Sequence, residues 1–594
     1  MIWLSHRRQD RGNKLRRTRR DKSIVSNSRI TAPSGTGKNG TGKHLKHLGL
    51  SMLVSFLVFT VTACAALPDS GPVHEGEVNP DSRNPLAQLA SGPIDGSSPE
   101  KLLADFQLAC AAGTYDDYGI ARQFLTSATR RSWNPQSQVT VLKPKTELKI
   151  AFSEGTNEGI GSGQPVLRVN KVGEASNFRQ GETFKYALVK EGGQWRISSL
   201  PDGVVLTNTA FKNAFSKPDV YYWSNDHRFL IPDPRWLPRK NIVQYLLAAL
   251  FSAPSSDLLG AVSAPESMTK IPSNLVTVQG RKAMVELPDT LRLRSETEMT
   301  RLYQQVRATL LNIAGIDEVT VSQNGRALPE PPEQPAPVKK QTMLGVKNGE
   351  VVEESDTRSG VFTAAKALAG EITWPTPGAA GSDFQVAIRD GKELVRLQRG
   401  KSPQVLYQGK NLRPPQVDPW GWAWTGDVSQ TGDLVAVNSR SQVVRVKVPD
   451  GDRWKIPFFA LSSPGVRGLI VWQMGYSFQG KGVTVIRSAD GTPIQIVTGE
   501  RGTDILSDVT SVAWTDSGQV AILQSGDTPK ILVLAVNSYE ESFEAAPKSQ
   551  YLVPNPPDGD VQVVTERGVR MGHIQQSWRT LGSGVSYPAF SRTG

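Results

Sequence analysis

Leu102, Phe106, Ala109 and Cys110 recur at helical spacing behind Ser98, a plausible cap, and Pro99 at the first helical position. An amphipathic helix is expected there, and a second over about Asp116 to Ala128. From 139 to 200 the period changes. Val139-Thr140-Val141, Pro165 to Val169, Phe184 to Val189 and Trp195-Arg196-Ile197 alternate or cluster as strands, with Gly-rich turns at 155–163 and at Gly192-Gly193. Helices followed by a curved antiparallel sheet predict an α+β domain over 100–208.

The stretch 209–328 has its own order. Val220-Tyr221-Tyr222-Trp223 reads as a strand and Arg235-Trp236-Leu237-Pro238 as a corner, and Ile242, Leu246 and Leu250 line one helix face. Two strands flank the Gly280-Arg281 turn. Ser295-Glu296-Thr297-Glu298 is a capping box ahead of a helix striped by Met299, Leu302, Val306, Leu310 and Ile313 that Gly315 ends. Val319-Thr320-Val321 and an Asn324-Gly325 turn close the unit, and the order predicts a two-layer α/β sandwich.

Residues 342–594 hold short strand patterns with weak internal repetition. Ala423-Trp424-Thr425-Gly426-Asp427 precedes an alternating strand, as does Ala513-Trp514-Thr515-Asp516-Ser517-Gly518. Ala460 to Gly465 is a degenerate third copy. Repeats of roughly 40 to 50 residues signal propeller blades, five or six in a segment of this size, with Tyr587-Pro588-Ala589-Phe590 placed to close the ring.

Charge sharpens the picture. The formal net charge is +12, yet residues 1–47 alone hold 13 Lys or Arg against Asp10 and Asp21, leaving the rest of the chain near neutral. A DNA-binding body therefore loses its main support, and a basic arm at Arg7 to Arg20 belongs to a leader. Leu48 to Ala63 follows as 16 uncharged residues, short of the ~20 that a bilayer crossing needs, and reads as a signal-peptide core. It ends in Val61-Thr62-Ala63-Cys64, which resembles a bacterial lipobox at all four positions. That resemblance implies diacylglyceryl on the Cys64 sulfur, cleavage between Ala63 and Cys64, and acylation of the new N-terminus. The leader, 1–63, is then followed by a Pro/Gly tether over 64–99, and a second Pro-rich spacer at 329–341 separates two folding units.

Candidate chemistry is sparse. Gly37 to His44 comes within one residue of a phosphate-binding loop, but His44 stands where a Mg²⁺-binding hydroxyl is required and no strand precedes it. The chain has two cysteines; Cys110 reads as a small core residue. His227 and His573 have no metal-binding neighbourhood, and we expect no catalytic residues, no metal site and no cofactor beyond the lipid. Trp420-Gly421-Trp422-Ala423-Trp424 puts three indoles on one face of a strand, either an aromatic platform for a sugar or partner, or core between blades.

Over 209–328 the runs YYW, LIPDPRWLP, LLAALF, AMVEL and LYQQVRATLLNIAGIDEVTV resemble the GerMN module. With an N-terminal part of the NTF2-like kind, a lipobox and a C-terminal propeller, the domain order resembles the actinobacterial LpqB lipoprotein family. The resemblance implies a lipid-anchored protein on the extracytoplasmic face of the cell membrane that contacts the extracytoplasmic domain of a sensor histidine kinase, MtrB, and modulates its MtrA pathway in cell-wall metabolism and division. With the basic charge confined to the leader, no nucleic-acid partner is expected. The competing expectations are a cell-wall glycan binder or hydrolase using the propeller, and a plain scaffold.

Overall fold

The computed structural model describes residues 90–592 apart from 179, 269–271, 273, 332–340, 356–357 and 517. The leader, the lipobox with Cys64, and most of both Pro-rich segments therefore lie outside the described residues.

The first helix, Pro99–Asp116, starts as the sequence requires: the Ser98 hydroxyl accepts from the Lys101 amide at 3.3 Å, with Pro99 at the first helical position. Its inner face buries Leu102, Leu103, Phe106, Ala109 and Cys110. The expected second helix shrinks to Gly119–Arg122. Asp117 and Tyr118 are both left-handed, at φ 56° and 60°, and break the chain out of the first helix. Past Arg122 the backbone is drawn onto the sheet, where the Thr126 amide donates to the Ile197 carbonyl at 2.9 Å.

Two four-stranded sheets complete this domain, one joining Lys149–Ser153, Glu158–Gly163, Glu182–Glu191 and Gln194–Ser199, the other Ala175–Asn177, Pro165–Asn170, Gln138–Leu142 and Val204–Leu206. The Gly-rich stretch expected as a turn is largely a strand. Its glycines serve packing: a Cβ at Gly159 would stand 2.3 Å from Leu103 Cδ1, and one at Gly161 2.6 Å from Leu148 Cδ2. Gly192 and Gly193, at φ 62° and 80°, do make the expected tight hairpin.

In the second domain Lys282–Leu287 and Glu318–Gln323 pair in parallel, flanked by Val276–Gln279 and Arg326–Ala327. Asp219–Ser224 does not join them. It forms a separate three-stranded sheet with Leu230–Pro234 and Val262–Ser263, because the helix Glu296–Leu311 packs against both Asp219–Ser224 and Glu318–Gln323. The Tyr221 amide donates to Thr309 Oγ1 at 3.1 Å, and Tyr303 Oη to the Val319 carbonyl at 2.9 Å. Ser295 caps that helix through the Glu298 amide, while the Glu298 carboxylate takes the amide of Arg294, one residue earlier than a capping box prescribes.

Among the described residues between Met343 and Phe590 the chain builds six successive four-stranded antiparallel sheets. The last strand, Ser586–Phe590, returns to pair with Met343–Lys347 and completes the first sheet. Radial repetition closed by the chain's own end is the propeller solution to exposed sheet edges. The three sequence echoes are not equivalent. Those at 460 and 513 run from the first to the second strand of their sheets, whereas that at 423 runs from the second to the third. This one-strand offset accounts for their uneven spacing.

Candidate functional site at the domain junction

The three domains meet in a buried polar junction. The strand Leu230–Pro234 delivers Asp233, which is fully buried. Its Oδ2 accepts from Arg235 Nη2 at 2.8 Å, Arg235 Nε at 3.1 Å and the Ser255 amide at 2.9 Å, and its Oδ1 accepts from the Ser255 hydroxyl and from Arg467 Nη2 at 3.3 Å. Arg467 comes from the propeller's fourth sheet and also donates to Asp257 Oδ2 at 2.7 Å. Burial opposes ionisation of Asp257, but the charge and hydrogen bond of Arg467 outweigh it and hold the carboxyl below its ordinary range. Arg235, also fully buried, reaches the first domain through the Val172 carbonyl at 3.2 Å. The corner read from Arg235-Trp236-Leu237-Pro238 is thus the hub of the ion cluster.

Asn537, between strands of the fifth and last-but-one sheet, ties all three domains. Its Nδ2 donates to the carbonyls of Gly173 at 2.9 Å and Pro234 at 2.6 Å, and its Oδ1 accepts from the Ala175 amide at 2.6 Å and from Arg501 Nη2 at 2.8 Å. Its carbonyl accepts from Trp236 Nε1 at 2.7 Å. Asn537 is left-handed at φ 57°, a conformation that asparagine tolerates. A cavity of about 740 Å³ borders this junction, walled by Arg168, Glu174, Lys481 and Arg501, and a smaller one of about 210 Å³ lies among Lys217, Asp219, Arg467 and Asp516.

The tryptophan run offers no open platform. Trp420, Trp422 and Trp424 are 9%, 5% and 0% exposed. Trp420 Nε1 donates to Asp226 Oδ2 of the second domain at 2.6 Å, and its ring meets Phe229 edge-on at 4.7 Å between centroids. Trp424 Nε1 donates to Asp418 Oδ2 at 2.7 Å, which also takes Arg487 Nη2 at 2.6 Å. The Arg487 guanidinium covers Trp420 at 4.0 Å from its centroid. The indoles therefore seal the second domain onto the propeller, and their cores are continuous. This corrects the reading of these residues as a ligand or partner surface: apolar area is better removed from water between domains than left facing it.

Other candidates fall out simply. Cys110 is buried, and burial pushes its thiol up, away from reactivity. The His573 ring stacks on Phe543 at 4.1 Å, and His227 sits in a turn at φ 56°. Among the described residues no group of three or more His, Cys, Asp or Glu is placed to hold a metal ion, and no helix is long and apolar enough to cross a membrane. Asp226, Asp233, Asp418, Arg467, Arg487 and Asn537 carry the junction, and none was singled out in the sequence. Their one signal was the Pro-Asp-Pro-Arg-Trp run.

Comparison with known proteins agrees with this division. Residues 92–212 match the family model of the LpqB lipoprotein N-terminal domain, 219–329 that described as sporulation and spore germination, and 349–591 that of the LpqB lipoprotein beta-propeller domain. Lipoprotein LpqB of Bifidobacterium longum is 30% identical over 42% of this chain and 46% of its own length. That of Nocardia farcinica is 32% identical over 36% of this chain and 35% of its own length, so each of these matches spans less than half of the relative. That of Cutibacterium acnes is 23% identical over 90% of this chain and 98% of its own length.

Proposed function

The chain belongs to the LpqB lipoprotein family, and from that premise we propose that it is a non-enzymatic accessory lipoprotein that modulates an MtrB-type sensor histidine kinase from the extracytoplasmic face of the membrane. In this reading Cys64 carries the diacylglyceryl and N-acyl groups. Two acyl chains supply the stable anchoring that one cannot. The first domain is an NTF2-like cone and the six sheets are six blades.

The observation that supports this reading is the junction itself. Three domains locked through Asp233, Arg467 and Asn537 make one body, able to present a fixed surface to a receptor held nearby by the same membrane. Anchoring raises the effective concentration, so weak intrinsic affinity is enough. Modulation then requires that the surface fit one signalling state of the kinase better than the other, since equal affinity shifts nothing.

The test is binding of the intact lipidated protein to the kinase in membranes, with MtrA phosphorylation as the second readout and an unrelated kinase as control. Truncation at 329 is unsuitable, because it exposes the apolar face that Trp420 and Phe229 share. Saturable binding that changes phosphorylation supports the reading. Binding equal to that of the control kinase, or none, removes it.

A further inference from the structure

We propose that a cavity between the first and second domains is a binding site for a neutral oligosaccharide. It measures about 640 Å³, within the range of ligand pockets, and lies at a domain boundary, where such pockets concentrate. It is separate from the ion cluster and from the tryptophan run, and the inference does not depend on the kinase reading.

Five amide side chains, Asn134, Gln136, Gln138, Asn170 and Asn241, stand among the lining residues, and local bonds fix how several present themselves. Asn134 Oδ1 accepts from the Gln136 amide at 3.2 Å, and Asn170 Oδ1 accepts from the amides of Val172 and Glu174, both at 3.0 Å. Each thereby commits its oxygen to the backbone and keeps its NH₂ for another acceptor. Gln136 does the reverse: its Nε2 donates to Asp117 Oδ1 at 3.1 Å, which leaves its Oε1 to accept. Asn241 precedes the helix Ile242–Leu250 but is left-handed at φ 55° and makes no side-chain cap, so its amide is not consumed by the helix. Donors and an acceptor of fixed direction match hydroxyl groups, each of which both donates and accepts.

Aromatic surface completes the match. Tyr245 projects from that helix with 36% of its surface exposed, and Trp236 lines the same walls; Tyr118, buried, shapes the wall without offering an open ring face. A sugar ring has an apolar face that lies on an aromatic ring and an edge of hydroxyls that meets amides. The charged groups at the walls are of both signs, Asp117 against Lys171 and Lys240, the last with one of its three donors on the Tyr115 carbonyl, so the polar match rests on the amides and not on an ion pair. The left-handed pair Asp117 and Tyr118 shapes one wall, and Gly113 permits it: a Cβ there would stand 2.1 Å from the Tyr118 ring.

The experiment is isothermal titration of the full chain, held in a detergent without a sugar headgroup, with chitotetraose and separately with maltotetraose. At least one should bind saturably, and Tyr245→Ala and Gln136→Ala should each weaken it about tenfold or more while melting stays unchanged. If Tyr245→Ala lowers the melting temperature, the exposed Gln136→Ala decides. Absence of binding of either sugar to folded protein, or binding that the deciding variants leave unaltered, overturns the assignment.

Discussion

Asn537 of the propeller donates its side-chain amide to the Pro234 carbonyl of the second domain at 2.6 Å, across 303 positions of sequence. The same nitrogen holds the Gly173 carbonyl of the first domain, and its oxygen holds the Ala175 amide. One side chain thus satisfies backbone groups of two other domains that the junction removes from water. Proline at 234 cannot donate to the ladder, but its carbonyl still needs a partner when buried.

Asn537→Ala should destabilise the protein by about 2–4 kcal/mol, since it leaves these groups unpaired and replaces asparagine, which tolerates positive φ, with alanine, which does so less well. Denaturant unfolding measures this. Asn537→Gly, which relieves the backbone but not the lost bonds, should recover only part of the loss. A midpoint unchanged in both variants would show that the junction is not closed through this residue.

The Asp233 cluster makes a different prediction. Asp233→Ala strands Arg235 without a carboxylate and leaves Arg467 only that of Asp257, and breaking such a buried pair costs about 3–5 kcal/mol. Removing both charges with Asp233→Ala and Arg235→Met should cost less than the sum of the single changes, because no stranded guanidinium remains at 235. Strictly additive losses would sink the account of a coupled pair.

The anchor is tested apart from the fold. Cys64→Ala should abolish incorporation of labelled palmitate and leave the precursor uncleaved, since the proposed reading puts the lipid on that sulfur and the cut at the peptide bond before it. Persistent labelling would place the lipid elsewhere.

Domain order and most of the regular elements were legible because periodicity is a local property. The helices Pro99–Asp116, Ile242–Leu250 and Glu296–Leu311 follow their apolar stripes and caps. The strand Glu158–Gly163 was not legible, since its glycines look like turn residues until Leu103 and Leu148 are seen to occupy the space their side chains would take. The junction was invisible for a stronger reason. Asp226 and Trp420, or Asp233 and Arg467, are ordinary polar residues in their own segments, and only tertiary packing makes them partners. For the same reason the three indoles read as core between blades in preference to a platform, and their actual partner, the second domain, stayed hidden.

Asp219 gives the junction a pH dependence that can be isolated. It faces the smaller cavity, with Lys217, Arg467 and Asp516 around it and Asp233 behind. Burial raises its carboxyl from an ordinary value of 3.8 to about 6; Arg467 and Lys217 oppose that shift, and Asp233 and Asp516 add to it. Between those two values the folded protein holds a proton that the unfolded chain has released, so stability falls as pH rises through the window. Below it both states are protonated and the penalty vanishes. Asp219→Asn, which cannot ionise, should therefore stabilise the protein near pH 7.5 by up to about 3 kcal/mol more than it does near pH 3.5. The comparison cancels titrating groups that do not interact with Asp219; Asp516, whose carboxyl burial also raises, is coupled to it and stays in the difference. Parallel stability curves for the two proteins from pH 3.5 to 8 would show that Asp219 ionises in the folded state without cost, and that the cavity is wetter than its walls imply.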